Sequence, residues 1–252
     1  MTIDYPQPAQ LSGLRMLWKE AFGDTDVFLD AFFETGFSPR RCRCVTEDGE
    51  VAAALYWFDV TCGPQHFAYL YAVATAKSFR GRGLFSALLE DTKRILRSEG
   101  FHGILLVPEN ESLGRMYEKF GFFPCTEVCT LTAAAGVEPA TFREIGPGEF
   151  ARLRRGMLPP GGVLQEGADL DFLAAQCHFW SGENALAVGQ IYDGRLVLQE
   201  FLGDETQMPG LLRALDVHAG IARMPGTGEK FAYLLPLREN CLRPGYFALA
   251  LD

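Results

Sequence analysis

At residues 80–83 the chain reads Arg-Gly-Arg-Gly, and the spacing of its apolar residues changes there from that of a strand to that of a helix. Residues 69–75 (YLYAVAT) form an apolar, β-prone run of strand length. Beyond the glycines, Leu84, Phe85, Leu88, Leu89, Ile95 and Leu96 fall at helical spacing. Glu90, Asp91, Lys93, Arg94 and Arg97 occupy the other faces, and Gly100 stands where a helix C-cap belongs. The first amides of a helix lack an intrahelical acceptor, the helix dipole adds partial positive charge, and glycine lets a ligand approach the main chain. A strand, a glycine turn and a helix beginning in that turn therefore suit an anion such as phosphate. Arg80 and Arg82 can add formal charge. Taken alone, the same turn also reads as a tight connection without a ligand.

A second pattern follows. Residues 103–108 (GILLVP) read as a short buried strand, and Leu113, Met116, Tyr117 and Phe120 then mark one face of a short helix ended by Gly121. The two stretches together resemble the GNAT superfamily of N-acetyltransferases. The superfamily's acyl-CoA signature, R/Q-x-x-G-x-G/A, is matched by Arg80 and Gly83 and departs at Phe85, where glycine or alanine is usual. Its downstream feature, an asparagine followed seven residues on by tyrosine and then a glycine–aromatic pair, is matched by Asn110, Tyr117, Gly121 and Phe122.

The resemblance implies an acetyl-CoA-dependent N-acetyltransferase in which a primary amine, on a small molecule or a peptide, attacks the thioester directly. It assigns the diphosphate to the main chain of Arg80, Gly81, Arg82, Gly83, Leu84 and Phe85, and the pantetheine arm to the strand backbone at Val73 and Thr75. Asn110 caps its helix or touches the pantetheine, and Tyr117 is the general acid for the departing thiolate. Val73 and Thr75 also read as strand core, and Tyr117 as an aromatic on a helix's core face. A non-catalytic acyl-CoA-binding or regulatory module is the alternative reading, and a purely structural tandem domain another.

Charge and size limit the other classes. A formal net charge of −9 and a pI near 5.0 argue against nucleic acid or anionic membrane as a partner. The 252 residues contain no apolar run of membrane-spanning length and no signal-peptide pattern at the N-terminus, so the cytosol is expected. Seven scattered cysteines do not form a disulfide framework, and Cys42 with Cys44, on one side of a strand, lacks further ligands, so no metal is expected. His66, His102, His178 and His218 are read as isolated, and Tyr69 and Tyr71 as one strand face that orders a water or packs.

The order of elements extends the resemblance. Two helices (Leu11 to Phe22 and Val27 to Phe32 by their apolar stripes) precede strands around Asp48-Gly49 and Gly63-Pro64, and residues 123–131 supply a closing strand. From Phe142 a similar order restarts: helices at 149–157 and 170–180, a hairpin about Asp193-Gly194, a helix through Leu211, Leu212, Leu215 and Ile221, then strands at 231–237 and 246–251. The expected fold is α+β with mixed sheets in two GNAT-like halves, the second degenerate: residues 1–135, a linker at 136–141, and residues 142–252. Where the first half has its arginine–glycine turn the second has residues 203–209 (GDETQMP), whose acidic pair would repel phosphate. The second half is expected to wall the acceptor cleft, support the fold or form a homodimer surface. Residues 225–230 (PGTGEK) resemble a phosphate loop only superficially and read as a surface loop.

Two halves, the helical lead-in and the Val-Ala-Thr approach to the arginine turn are similar to the enhanced-intracellular-survival (Eis) acetyltransferases. Ser112, five residues before Tyr117, fits their spacing. Their sterol-carrier-like third domain has no counterpart expected here. By the same resemblance a terminal carboxylate at Asp252 is a candidate base.

Overall fold

The computed structural model describes residues 1–251 and divides them into two compact units. The first comprises residues 1–123, 167–172 and 234–242; the second comprises residues 124–166, 173–233 and 243–251.

The first unit begins with β1 (Thr2–Asp4), α1 (Leu11–Phe22) and α2 (Asp26–Ala31). Leu14, Leu17 and Trp18 give α1 its buried stripe, Gly23 ends it at φ 78°, and the Thr25 hydroxyl accepts the Phe28 N–H to cap α2. A π-helical turn, Phe32–Gly36, follows. Trp18, Phe28, Phe32, Tyr56, Tyr71 and Phe172 then interlock in an aromatic core, their rings tilted against one another or edge to face. The meander β2 (Cys42–Glu47), β3 (Glu50–Cys62), β4 (Gln65–Thr75) is antiparallel, with Asp48 and Gly49 at positive φ in its first turn. Helix α3 (Leu84–Ser98) crosses over to β5 (Gly103–Leu106), which pairs parallel to β4. After α4 (Glu111–Glu118) comes the short β6 (Phe123–Pro124).

The second unit carries β7 (Glu127–Ala134), β8 (Arg143–Ile145), α5 (Pro147–Met157), β9 (His178–Ser181), β10 (Ala185–Tyr192), β11 (Arg195–Gly203), α6 (Met208–Ala214), β12 (Ala219–Pro225) and β13 (Glu229–Lys230). Its sheet runs β13-β7-β12-β11-β10-β9-β8 around Trp180, Leu196, Leu198, Phe201, Met208 and Leu212. Inside it lies a buried ion pair. Arg154 donates to both carboxylate oxygens of Glu200, at 2.6 and 2.9 Å, and to the Val163 carbonyl at 2.9 Å, with both side chains 1% exposed. Residues 246–251 are buried, and Val163, Gln165 and Arg223 donate to the carbonyls of Tyr246, Leu249 and Ala248.

The mixed α+β class with two mixed sheets agrees with the sequence reading, and several assignments change. The strand expected to close the first half pairs instead as β7 with β12, Leu131 opposite Ala222, so the second unit starts at residue 124 rather than after a linker. Residues 136–141, read as linker, carry no helix or strand and lie between β7 and β8, inside the second unit. Residues 170–180 are not one helix: a short helix stops at Ala174 and His178–Ser181 is β9, because Phe179 and Trp180 alternate across a sheet opposite Val188 and Ala187. Ile221 lies on β12, not on a helix. The strand expected at 231–237 is β14 (Tyr233–Pro236), which sits between β5 and β6, giving a first sheet ordered β1-β2-β3-β4-β5-β14-β6. The first unit holds residues 234–242 through Leu237 N–H to the His102 carbonyl (2.8 Å), Arg97 Nε to the Leu237 carbonyl (3.2 Å), and Gln65, whose amide bridges Asn240 and Leu242. Residues 246–251 form no strand; one bridge joins Tyr246 to Gly162.

Candidate functional site

Strands β4 and β5 run together for only three residue pairs, Phe67 with Gly103 to Tyr69 with Leu105, although β4 continues to Thr75. Within that continuation the register with β3 slips. Ala54 faces Ala74 and Tyr56 faces Tyr71, so Ala72 and Val73 together oppose the single residue Leu55. Ala72, within the bulge, has φ 49°, a left-handed conformation that an L-residue rarely adopts. Ala76 donates to the Ala52 carbonyl, so by alternation Ala74 faces β3 and the main-chain groups of Val73 and Thr75 face the side where β5 has ended. Bulge and parting strands leave polar backbone along β4 available to an extended ligand, except for the Thr75 carbonyl, which accepts from Arg80 Nε.

The glycine turn lies at the end of that edge. Gly81 and Gly83 have φ 76° and 74°, and a methyl group built on either would touch nothing within 4 Å, so conformation rather than crowding demands glycine. Gly83 is the N-cap of α3 and no side chain caps the helix, leaving the amides of Leu84 and Phe85 directed outward. Residues 80–83 are exposed. The two arginines are less free than their positions in the sequence suggest: Arg80 Nε donates to the Thr75 carbonyl at 3.0 Å, fastening the turn to β4, and Arg82 lies over the Phe79 ring and pairs with Glu47. Sequence reasoning missed Glu47. It ends β2 beside a hairpin turn, and nothing in the local pattern announces a partner 35 residues away.

Phe85 departs from the expected glycine or alanine without obstructing the turn. Its ring packs on Phe120 at 4.8 Å and on Tyr117 at 5.9 Å, both edge to face, while its amide stays in the first turn of α3. Tyr117 lies on the buried face of α4, 9% exposed. Its hydroxyl, unlike that of Tyr56, is not shut away as a buried unpartnered group. Burial pushes the phenol up to about 12, so it is a neutral proton donor throughout the physiological range. Asn110 caps α4 by accepting the Leu113 N–H at 3.0 Å, and Ser112 is exposed in the first turn of the same helix. The structure thus gathers the bulged edge, the turn, Phe85 and Tyr117 in one unit; for Asn110 it displays the cap.

Other candidates resolve differently. Tyr71 is built into the aromatic core with Trp18, Phe32 and Phe58. His178, read as isolated, has Glu144 at 2.6 Å on an exposed surface. In the second unit, the loop that replaces the arginine turn fills its own helix start: Asp204 accepts from the Thr206 N–H and hydroxyl, and those bonds hold its carboxyl below the usual range. Among the described residues no cluster of His, Cys, Asp or Glu could hold a metal ion, and no helix is long and apolar enough to cross a membrane. Asp252 lies outside the described residues.

Residues 11–122 match the acetyltransferase (GNAT) family model. No curated protein matches the chain. Among solved structures, a GCN5-related N-acetyltransferase from Kribbella flavida is similar at 16% identity and TM-score 0.70, over 92% of this chain and 70% of that one. Eis1 from Mycobacterium abscessus gives 12% and 0.68, over 94% and 74% of the respective chains. A GCN5-related N-acetyltransferase from Anabaena variabilis gives 13% and 0.71, over 94% and 73%. At these identities the likeness is one of fold, and it spans both units.

Proposed function

We propose, from the match of residues 11–122 to the acetyltransferase (GNAT) family model, that the chain is an N-acetyltransferase using acetyl-CoA as donor and a primary amine as acceptor. The observation that carries this reading is the uncapped start of α3 at the end of a bulged strand edge along which β5 has ended. Outward amides at a helix N-terminus favour a diphosphate. The backbone of Val73 and Thr75 favours the amide-bearing pantetheine arm, laid along β4 as an added strand. Asn110 and Ser112 stand at the start of α4 and contribute to the same channel.

The thioester would then lie toward Tyr117. A neutral amine attacks the carbonyl carbon, the tetrahedral intermediate collapses, the C–S bond breaks, and the phenol protonates the departing sulfur as it gains charge. The proton lost by the amine nitrogen returns through water to the phenolate, so proton and charge balance over one turnover. Seven scattered cysteines suit a reducing compartment such as the cytosol, where we place the protein on this reading.

Acetyl-CoA is expected to release thiol when mixed with the protein and a panel of primary amines. Acetyl-CoA and desulfo-CoA are both expected to raise the melting temperature, corresponding to about 2.7 kcal/mol at a hundredfold excess over Kd, while ATP does not. Absence of stabilisation by either CoA compound would remove the reading; stabilisation without thiol release across the panel would leave a binding module.

A second expectation concerns Gly83. With φ 74° at the N-cap, Gly83→Ala forces a left-handed alanine, costing about 1–2 kcal/mol, or moves the helix start. Since 1.4 kcal/mol is tenfold in binding, the KM for acetyl-CoA should rise roughly tenfold with a smaller change in kcat. Steady-state kinetics check it, and an unchanged KM would place the diphosphate elsewhere.

A further inference from the structure

Phe85 belongs to two elements at once. Its amide lies in the first turn of α3, where the proposed diphosphate sits, while its ring leaves the turn and reaches α4. There it stands edge-on to Phe120 at 87° and to Tyr117 at 76°, and Phe122 adds a further edge contact to Tyr117 at 5.5 Å. Remove the Phe85 ring, and Tyr117 keeps Phe122 as its aromatic neighbour while the α3 side of its pocket opens. A tyrosine ring swings on two torsions, so a small rotation near the backbone carries its hydroxyl a long way. Displacements of about 1 Å at a reacting group cost ~100-fold in rate.

We infer that Phe85 is a positioning residue for acetyl transfer: from the helix that starts at the diphosphate turn, its ring fixes the Tyr117 phenol at the departing sulfur. The inference rests on the reading of Tyr117 as proton donor, and it makes the turn and the donor one mechanical unit. The packing also explains how a bulky residue occupies this place in the turn, since every atom beyond Cβ serves α4 and the amide remains available.

Burial is the cause that holds the Tyr117 phenol in its neutral form. The arginines of the turn, Arg80 and Arg82, Glu90 on α3, and Glu111, Arg115 and Glu118 on α4 make no contribution to that shift. A change in Phe85 should therefore reach Tyr117 through packing and solvent access.

The test compares the unsubstituted full chain with Phe85→Ala and Phe85→Leu. Kinetics are measured with acetyl-CoA and an amine acceptor, and ring-labelled tyrosine NMR follows the Tyr117 signal with pH in the absence of any substrate. For Phe85→Ala, kcat is expected to fall about tenfold, equivalent to 1.4 kcal/mol of barrier, with the KM for acetyl-CoA held within about twofold. Tyr117 in that variant should begin to ionise near the ~10 of a free phenol, whereas the unsubstituted protein keeps it neutral at that pH. Phe85→Leu, which refills much of the volume, should recover part of both effects, and it carries the comparison alone if the alanine variant does not fold. Unchanged kcat and unchanged Tyr117 titration would overturn the inference, as would a raised KM with kcat intact. The NMR arm needs no turnover, so it judges the packing role even of an inactive protein. Failure of the acetyltransferase reading would show separately, as acetyl-CoA leaving the unsubstituted protein unstabilised.

Discussion

Tyr117→Phe is expected to lower kcat by ~10²- to 10⁴-fold, the usual worth of a positioned general acid, with the KM for acetyl-CoA little changed. The substitution keeps the ring that packs on Phe85 and Phe122 and removes only the hydroxyl, so stability should hardly move. The pH profile gives an independent check. With the phenol pushed up to about 12, the proton donor stays intact as pH rises, and a tyrosine that titrated lower would be lost progressively across that interval. The rate should therefore climb with pH as the acceptor amine loses its proton and then remain level to about pH 10.5, beyond the ~10 of an ordinary tyrosine. Turnover undiminished in Tyr117→Phe, or a falling limb near pH 9 that vanishes in that variant, would each be incompatible with this role.

The largest effect on stability is expected in the second unit. Arg154→Met leaves the Glu200 carboxylate buried without its cation and the Val163 carbonyl without its donor. Breaking a buried pair from one side costs about 3–5 kcal/mol, because the remaining charge cannot regain its hydration. The double variant Arg154→Met/Glu200→Leu removes the stranded charge and should recover much of that loss. Recovery should be incomplete, since the Val163 carbonyl still lacks its donor and Tyr246, whose hydroxyl is pushed far above its usual range by burial and then by Glu200, was packed around the carboxylate. Denaturant melts of the two single variants and the double variant would decide; additive losses would mean that the pair is not coupled.

That ion pair also marks a limit of what the sequence discloses. Within the helix expected at 149–157, Arg154 stands four residues after Phe150, on the buried side. A cation at a core position was the available signal for a hidden partner, but nothing local could identify Glu200, 46 residues away. By contrast, the β4–turn–α3 region and α4 were legible because each feature that defines them is local: apolar spacing, glycines at positive φ, and an asparagine cap. Phe85 was legible as a departure from pattern, though its packing on Phe120 became visible only in three dimensions.

The errors share one cause. Periodicity states that a segment is a strand and leaves open which strand it joins, so β7 and β14 were found approximately and placed with the wrong neighbours. The helix expected at 170–180 failed for a related reason, since four residues of alternating character, His178 to Ser181, are too few to outweigh the apolar run before them. The bulge at Ala72 gave no signal because alanine is at home in ordinary strand and its type does not announce the left-handed conformation it takes here.

The insertion of β14 between β5 and β6 has a consequence for the order in which the protein can mature. On the ribosome, the strand edge, the glycine turn and Tyr117 all emerge well before residues 234–242. Until those residues arrive, β5 lacks its second neighbour and the nascent first unit holds an open seam in its sheet. Completion of the first unit must therefore wait until most of the second unit has also been translated.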